Sequence, residues 1–376
     1  MRDIFLLVLL LVNQRLINAQ TYGSFTFEGQ NRTYIGYIPA SYSDEIPSPL
    51  MLVLHGFTQS AQTIMQYSNF NSLAEEHNFI VVYPNGIGNS WNVGQGGGSS
   101  ANDVGLLNAL IDTIDYHYNI DLQRIYSSGF SNGGFMCYRI ACELSHRIAA
   151  IGSVAGTMAS SAAGSCNPER SIPIIHIHGT ADFIVSYNGG FGNMSVNQLL
   201  GFWTANNNCP SLPEVVELPD LVQEGSTVEK HIYAPCDDQT EVVHLKVING
   251  GHTWPGAVGN SGIGNTNMDI SGSSEIWSFV SRFTNPMVTT SDTFMNRDIV
   301  IFPNPVISNR FRLNNLKGGT RIDIQLFSMD GRLILQQQHT VSTNTLEVDL
   351  CNLQSGIYVL YITNMGQSMK TKLVIL

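Results

Sequence analysis

The chain has 376 residues, more than one hydrophobic core usually organises, so we expect one large domain with a smaller appendage. Hydrophobic residues make up 43% of it and charged residues only 12%, which excludes intrinsic disorder because there is ample apolar surface to bury. The formal net charge is −11, so a polyanion would be repelled, and we expect no nucleic-acid partner.

The first residues have the pattern of a secretory signal peptide. Arg2 precedes an uninterrupted apolar run from Ile4 to Val12, and the segment ends on the small residue Ala19. The run is too short to cross a bilayer as a helix, which takes about 20 residues, although a short uncleaved anchor is an alternative. We predict a signal peptide over residues 1–19 and a secreted protein, extracellular or attached to the cell surface, where disulfides persist.

The main part of the chain has the pattern of an α/β domain. Residues 21–40 alternate apolar and polar side chains, as in an antiparallel strand. Continuous apolar runs, typical of parallel strands covered on both faces, then recur at 50–54, 79–83, 125–126, 149–154 and 172–177. Because helical stretches separate these runs, we predict a doubly wound sheet over residues 20–286, with ligands binding beyond the carboxyl ends of its strands.

The clearest amphipathic helix begins at Asn102-Asp103. Val104, Leu107, Ile111 and Ile114 form its apolar stripe. We interpret Asp103 as part of the helix cap rather than as a catalytic carboxylate.

The last residues change in charge and in pattern. Residues 20–286 hold 8 basic and 22 acidic residues, whereas residues 287–376 hold 8 and 6. Short apolar runs separated by turns such as Asp330-Gly331 replace the strand–helix alternation. We therefore predict a linker over residues 287–299 and a small all-β module of sandwich type over residues 300–376.

The segment Gly129-Phe130-Ser131-Asn132-Gly133 has the pattern of a nucleophile elbow. A strand pattern precedes it and a helix pattern follows it, and a sharp strand-to-helix turn needs small neighbours around a strained serine. The hydroxyl of Ser131 would then lie above the sheet at the positive end of a helix. We predict that Ser131 is a catalytic nucleophile.

A serine hydroxyl needs a base, and His252 is our candidate. It follows the apolar run 242–248 in a turn where glycines precede it and Trp254-Pro255 follows it, so its imidazole can be held in place. Asp182, just beyond the run 172–177, would orient that imidazole. The order Ser131, Asp182, His252 is that of an α/β-hydrolase. Other acidic residues in loops remain as rivals for Asp182, namely Asp220, Asp237 and Asp238.

Two other histidine positions fit structural roles better than catalytic ones. His176 and His178 lie on one strand face, but the Asp-His continuation of dinuclear hydrolases does not follow them, so we predict no metal and no cofactor. The strand-end turn that contains His55 should supply one oxyanion-hole N–H at Phe57, and Asn132 should supply the other. We interpret His55 as a structural hydrogen-bonding residue.

Aromatic side chains in loops are candidates for walls of the substrate pocket: Trp91, Tyr187 and Trp254. Six cysteines allow several pairings. We favour Cys209–Cys236 because both lie in loop-like contexts, with Cys142–Cys166 as a second pairing. Cys137 falls in the helix after the elbow, where a thiol serves as a small apolar side chain.

Four motifs together resemble the polyhydroxybutyrate-depolymerase/feruloyl-esterase group of secreted α/β-hydrolases. They are His55-Gly56-Phe57-Thr58-Gln59, Gly129-Phe130-Ser131-Asn132-Gly133-Gly134, His178-Gly179-Thr180-Ala181-Asp182 and Gly250-Gly251-His252-Thr253-Trp254-Pro255-Gly256. The resemblance covers residues 22–285 and implies that Ser131, Asp182 and His252 are a catalytic triad. It also supports the Cys209–Cys236 disulfide, because members often have cysteines at these points.

The C-terminal module resembles the sorting domain of type IX secretion cargo. Four segments carry the likeness: Phe302-Pro303-Asn304-Pro305, Leu326-Phe327-Ser328-Met329-Asp330-Gly331, Leu353-Gln354-Ser355-Gly356-Ile357-Tyr358 and the lysine-containing end 369–376. This resemblance implies export through the outer-membrane secretion machinery. The alternative is a small carbohydrate- or polymer-binding β module.

The resemblance implies a secreted serine carboxylesterase that hydrolyses carbohydrate-linked esters of feruloyl or acetyl type through an acyl-enzyme. Its partners would be a plant polysaccharide ester or a polyester as substrate, and the secretion machinery. Two alternatives remain open. The first is an extracellular polyhydroxybutyrate depolymerase, and the second is a non-enzymatic surface adhesin on a hydrolase fold.

Overall fold

The computed structural model forms two compact units, Met1–Val288 and Thr289–Leu376. It describes residues 19–94, 98–259, 262–288, 299–306, 309–314, 316, 319–328, 332–350, 353–364 and 367–375. Residues 1–18 of the predicted signal peptide and residues 289–298 of the predicted linker lie outside the described residues. The predicted boundaries of the linker and the domains therefore stay predictions.

The first unit contains a mixed ten-stranded sheet. Its strands are β1 (Gln20–Phe27), β2 (Gln30–Tyr37), β3 (Ser48–Leu54), β4 (Ile80–Pro84), β5 (Ile120–Phe130), β6 (Ala150–Val154), β7 (Ile174–Gly179), β8 (Glu214–Glu217), β9 (Thr227–Tyr233) and β10 (Val242–Ile248). They lie in the order β1-β2-β4-β3-β5-β6-β7-β10-β9-β8. The strands from β4 to β10 in that order are parallel, and antiparallel pairs flank them on both sides.

Among the described residues, six α-helices cover the two faces of this sheet. They are α1 (Ala61–Ser68), α2 (Phe70–His77), α3 (Asp103–His117), α4 (Asn132–Glu143), α5 (Val196–Asn206) and α6 (Gly272–Val280). Alternate residues of β3 point to opposite faces, so Leu52 packs in the core under α3, α4 and α5, whereas Val53 packs in the core under α1, α2 and α6. The predicted α/β-hydrolase sheet, doubly wound, is thereby confirmed.

The antiparallel hairpin of β8 and β9 at one edge of the sheet is absent from the sequence prediction. All four residues of β8 are exposed, so this strand carries no apolar alternation that the sequence could reveal.

The predicted role of Asp103 as a helix cap is wrong. The cap of α3 is Asn102, whose Oδ1 accepts a hydrogen bond from the Gly105 N–H at 3.0 Å. Asp103 is fully buried instead, and its Oδ1 accepts from Arg32 Nη2 at 3.1 Å. Its Oδ2 accepts from the Asn92 N–H at 2.8 Å. Arg32 lies far away in the sequence, so local pattern reasoning could not identify this partner.

The second unit is a small all-β module, as predicted from its short apolar runs. Its strands are β11 (Val300–Phe302), β12 (Arg310–Asn314), β13 (Thr320–Ser328), β14 (Leu333–Val341), β15 (Leu346–Asp349), β16 (Gly356–Asn364) and β17 (Gln367–Ile375). They form a three-stranded sheet, β11-β12-β15, and a four-stranded sheet, β14-β13-β16-β17. Both sheets contribute to one core, with Phe311 from the first and Ile324 from the second.

Two disulfides join loops and helix ends of the first unit. The favoured Cys209–Cys236 pair is confirmed, and Cys142–Cys166 is bonded as well. Cys137 is a buried free thiol in α4, and burial raises its pKa to about 12. No helix among the described residues is both long and apolar enough to cross a membrane.

Candidate active site

Ser131 lies in a sharp turn between β5 and α4, in a backbone conformation that serine rarely adopts. Its φ is +53° and its ψ is −117°. Glycine neighbours permit the turn, since a Cβ on Gly133 would lie 2.1 Å from the Leu54 carbonyl oxygen. A Cβ on Gly129 would lie 2.4 Å from the carbonyl carbon of Gly133. The structure therefore contains the elbow that the sequence predicts.

The elbow is anchored to the next strand of the sheet. The Ser131 N–H donates to the Val154 carbonyl at the end of β6, at 2.8 Å. The Ser131 carbonyl accepts from the Phe135 N–H at 3.0 Å, which begins the hydrogen bonding of α4. Ser131 is half-buried and lies at the carboxyl edge of the sheet, at the positive end of the helix.

Asp182 lies just beyond β7 and is held from two sides. Its Oδ1 accepts hydrogen bonds from the N–H groups of Ile184 at 2.9 Å and Val185 at 2.8 Å. Its Oδ2 lies 2.7 Å from His252 Nδ1. Since both residues are buried, this contact is a shielded carboxylate–imidazole pair.

The surroundings of Asp182 favour the ionised form of its carboxylate. Burial by itself raises the pKa of Asp182, but the hydrogen bonds from His178 and His252 outweigh it and hold that pKa below its usual range. His178 Nε2 lies 3.4 Å from Asp182 Oδ2 and donates to the Val185 carbonyl at 2.8 Å. Asp182 is therefore an anion that can orient an imidazole and stabilise its cation.

The loop after β10 fixes the position of His252. The His252 N–H donates to the Ile263 carbonyl at 2.7 Å, and the Ile263 N–H donates back at 2.8 Å. The Ala181 N–H donates to the Gly250 carbonyl at 2.9 Å, which joins this loop to the Asp182 loop. Because β7 and β10 are parallel neighbours, the two loops leave the sheet side by side.

His252 also lies beside the elbow. Its ring centroid is 4.9 Å from that of Phe130, the residue before Ser131. Since Nδ1 bonds to the carboxylate, Nδ1 carries the proton and Nε2 keeps its lone pair. Within the described part of the chain, neither His252 Nε2 nor Ser131 Oγ makes a hydrogen bond. Such contacts are often long in a resting site and tighten when substrate binds.

Two backbone N–H groups are available for an oxyanion. Those of Phe57 and Asn132 donate to no other group among the described residues. The end of β3 lies directly against the elbow, because a Cβ on Gly133 would also meet the His55 carbonyl oxygen at 2.7 Å. The turn that carries Phe57 is therefore adjacent to the start of α4, where the Asn132 N–H lies.

His55 is a buried structural residue, as predicted. Its Nε2 accepts from the Gly86 N–H at 3.0 Å, so its Nδ1 carries the proton and donates to the Gly56 carbonyl at 2.8 Å. That carbonyl belongs to the same peptide plane as the Phe57 N–H, and the two point in opposite directions. His55 thereby orients the Phe57 N–H, a role that sequence reasoning missed.

The prediction that Trp91 and Trp254 line the substrate pocket is wrong for this structure. Both side chains are buried to 1% exposure or less. Trp91 Nε1 donates to the His55 carbonyl at 2.9 Å, and Trp254 Nε1 donates to Ser273 Oγ at 3.0 Å. They pack beneath the site loops because a large indole with a satisfied N–H is stable in a core.

Tyr187 packs on His178, whose Nε2 lies 3.4 Å from Asp182 Oδ2. The Tyr187 hydroxyl pairs with His244 Nε2 at 2.9 Å, in a cluster of aromatic rings beside His176 and His178. In the part of the chain that the structure describes, no group of three or more histidine, cysteine or acidic residues could hold a metal ion. The rival carboxylates are exposed: Asp220, Asp237 and Asp238.

Comparisons with known proteins find matches to two parts of the chain. Residues 41–217 match the phospholipase/carboxylesterase family, and residues 300–376 match the secretion system C-terminal sorting domain. The acetyl xylan esterase from Aspergillus awamori has a similar fold, with a TM-score of 0.51 at 16% identity, covering 69% of this chain and 99% of that one.

Two relatives are similar to this chain in sequence. The bifunctional acetylxylan esterase/xylanase XynS20E of Neocallimastix patriciarum is 30% identical over 260 residues, which are 68% of this chain and 34% of that protein. Feruloyl esterase B of Piromyces equi is 28% identical over 264 residues, 68% of this chain and 46% of that protein. The chain thus spans less than half the length of either relative.

The sheet and the family matches agree with both resemblances inferred from the sequence motifs. A sorting domain of this kind belongs to exported proteins, so the protein is extracellular or attached to the cell surface. The first unit therefore has an α/β-hydrolase sheet and matches the phospholipase/carboxylesterase family over residues 41–217, and residues 300–376 match a C-terminal secretion sorting domain.

Proposed function

We propose that the protein is a secreted serine carboxylesterase that hydrolyses carbohydrate-linked esters of feruloyl or acetyl type through an acyl-enzyme. The observation that carries this proposal is the buried 2.7 Å contact between Asp182 and His252, beside the strained elbow of Ser131. A carboxylate, an imidazole and a serine hydroxyl at one sheet edge are the parts that nucleophilic ester hydrolysis needs.

In the first step, Ser131 Oγ attacks the ester carbonyl carbon and its proton passes to His252 Nε2. The tetrahedral oxyanion accepts hydrogen bonds from the Phe57 and Asn132 N–H groups. Asp182 stabilises the imidazolium through the Nδ1 hydrogen bond. When the C–O bond breaks, His252 returns the proton to the departing alcohol and leaves the acyl group on Ser131.

In the second step, water takes the place of the alcohol. His252 Nε2 removes a proton from the water, whose oxygen attacks the acyl carbon, and the oxyanion forms again in the same pair of N–H groups. Collapse of that intermediate releases the carboxylic acid and restores the Ser131 hydroxyl. This route needs no cofactor.

The carbohydrate substrate class is supported by the relatives, whose names are those of acetylxylan and feruloyl esterases. Export by the sorting domain supports action on a polymer outside the cell. The domain would engage the secretion machinery at the outer membrane.

A panel of three esters tests this function. We expect purified protein to release ferulate from methyl ferulate or acetate from acetylated xylan, and to cleave hydroxybutyrate oligomers far more slowly. Preferential cleavage of the oligomers would instead establish a polyester depolymerase. If the protein hydrolyses none of these three esters and does not hydrolyse p-nitrophenyl acetate either, the enzymatic proposal is overturned and a surface adhesin is favoured.

A further inference from the structure

A groove of about 430 Å³ lies beside the hairpin of β1 and β2, outside the residues already assigned to catalysis. The described residues that line it include no charged side chain, and among its polar and aromatic members are Tyr22, Ser24, Asn31, Thr33, Ser60, Gln62 and Asn85. A lining of aromatic, hydroxyl and amide groups suits a ligand that is uncharged and rich in hydrogen-bonding groups, because an ionic ligand would find no opposite charge.

The groove opens at the same edge of the sheet as the elbow. Strand β2 runs antiparallel to β4, with Tyr34 opposite Pro84, so the start of β2 lies at the carboxyl end of β4. Ser60 lies in the loop after β3, only three residues beyond Phe57. Three residues of chain span at most about 11 Å, which places this wall of the groove next to the predicted oxyanion turn.

Tyr22 provides an open aromatic surface at the groove. Its side chain is 75% exposed, and only its hydroxyl is engaged, as an acceptor from Gln20 Nε2 at 2.7 Å. Ser24 lies on the same strand face, and its cross-strand partner Thr33 extends that face. An exposed aromatic ring can pack against the C–H face of a sugar, while neighbouring protein hydroxyl groups form hydrogen bonds with the hydroxyl groups of the sugar.

The other wall contains the side-chain amide of Asn85, which is held by hydrogen bonds, and that of Gln62, which is not held by any among the described residues. Asn85 Oδ1 accepts from the Ala61 N–H at 2.8 Å, and its Nδ2 donates to Thr33 Oγ1 at 3.0 Å. These bonds connect the β4 loop to the hairpin and preorganise the groove. Gln62 and Asn31 make no side-chain hydrogen bond within the described residues, so their amides are available to a ligand.

From this arrangement we propose that the groove binds the neutral polysaccharide chain to which the cleaved ester is attached. The sugar backbone would pack on Tyr22 and bond to Gln62, and the chain would continue past Phe57 so that its ester reaches Ser131. This inference rests on the proposed function for its substrate class, but it assigns residues that the ester chemistry does not use.

Binding of an ester-free sugar tests the groove separately from catalysis. The probe is xylohexaose, titrated calorimetrically into the full chain carrying Ser131→Ala. We expect xylohexaose to bind, and we expect its affinity to fall about fivefold or more when Tyr22→Ala is added, because the contact with the aromatic ring is lost. Gln62→Ala should also lower this affinity. Tyr116→Ala is the matched control, because Tyr116 is 70% exposed near the end of α3 and should leave binding unchanged.

Turnover separates the groove from the proposed function. We expect Tyr22→Ala to lower kcat/KM on acetylated xylan about fivefold or more while p-nitrophenyl acetate hydrolysis stays unchanged. The proposed role of the groove would be overturned if xylohexaose did not bind, or if Tyr22→Ala and Gln62→Ala left its binding intact, even if the esterase is active. If the protein binds xylohexaose in a Tyr22-dependent way but has no esterase activity, the role of the groove in binding is supported and the proposed function is refuted.

Discussion

The glycine at position 133 shows how one missing side chain shapes the site. A methyl group there would lie 2.1 Å from the Leu54 carbonyl oxygen, a backbone atom that cannot rotate away. The elbow and the end of β3 can therefore approach only because residue 133 has no Cβ. The same approach places the Asn132 and Phe57 N–H groups near one another, so packing and the proposed oxyanion site depend on one residue.

Gly133→Ala should destabilise the fold by about 1–3 kcal/mol, because it overpacks a closed contact, and it should lower esterase activity with it. The matched control is Gly201→Ala in α5, where a Cβ would meet nothing within 4 Å. That substitution should be neutral or slightly stabilising, since alanine favours helix over glycine. Urea unfolding of both variants measures the difference, and equal stabilities would contradict the packing argument.

At this scale, sequence motifs located the site better than they located its surroundings. Ser131, Asp182 and His252 each follow a strand in a turn, as the strand pattern predicted, and their catalytic roles stay predictions. Trp91 and Trp254 lie in similar loops, but burial depends on what packs above a loop, and local pattern does not contain that information. The Asp103–Arg32 pair was missed for the same reason.

Among the elements, the parallel strands β7 and β10 carry Asp182 and His252 on adjacent loops. Parallel neighbours end at the same sheet edge, so a long sequence separation becomes a 2.7 Å contact. Continuous apolar runs predicted these strands correctly, because both sheet faces are covered. The polar edge strand β8 escaped prediction, since only one of its sides pairs and its residues are exposed.

The Cys209–Cys236 bridge ties the end of α5 to the loop after β9. We expect Cys209→Ser with Cys236→Ser to lower the free energy of unfolding by about 3 kcal/mol, because the bridge closes a long loop in the unfolded chain. Urea unfolding measures this loss. Wild type treated with a reductant loses the Cys142–Cys166 bridge as well, so it should be destabilised at least as much as the double variant. An unchanged unfolding midpoint in the double variant would refute a stabilising role.

Over the whole molecule, each unit has its own hydrophobic core. Asp182 and His252 and the elbow all belong to the first unit, which ends at Val288. The balance of charge changes at the same part of the chain, from 22 acidic against 8 basic residues over residues 20–286 to 6 against 8 over residues 287–376. Catalysis and sorting are therefore expected to be separable.

A chain that ends near residue 290 should be soluble and should keep kcat/KM on a small soluble ester within about threefold of the full chain. In the native host the same truncation should leave the enzyme inside the cell envelope, because the sorting domain is missing. Loss of small-ester activity would show that the second unit completes the site. Unchanged export combined with weaker action on a solid polymer would instead indicate a binding module.

The most direct test of the account is the rate of Ser131→Ala on p-nitrophenyl acetate and methyl ferulate. Removing the nucleophile should lower kcat by about 10⁴-fold or more while circular dichroism shows an intact fold, since the covalent route is lost. Ser281→Ala, an exposed serine at the end of α6, is the control and should retain full activity. Activity of Ser131→Ala within tenfold of wild type, with contaminating esterases excluded, would contradict the assignment of Ser131 as the nucleophile.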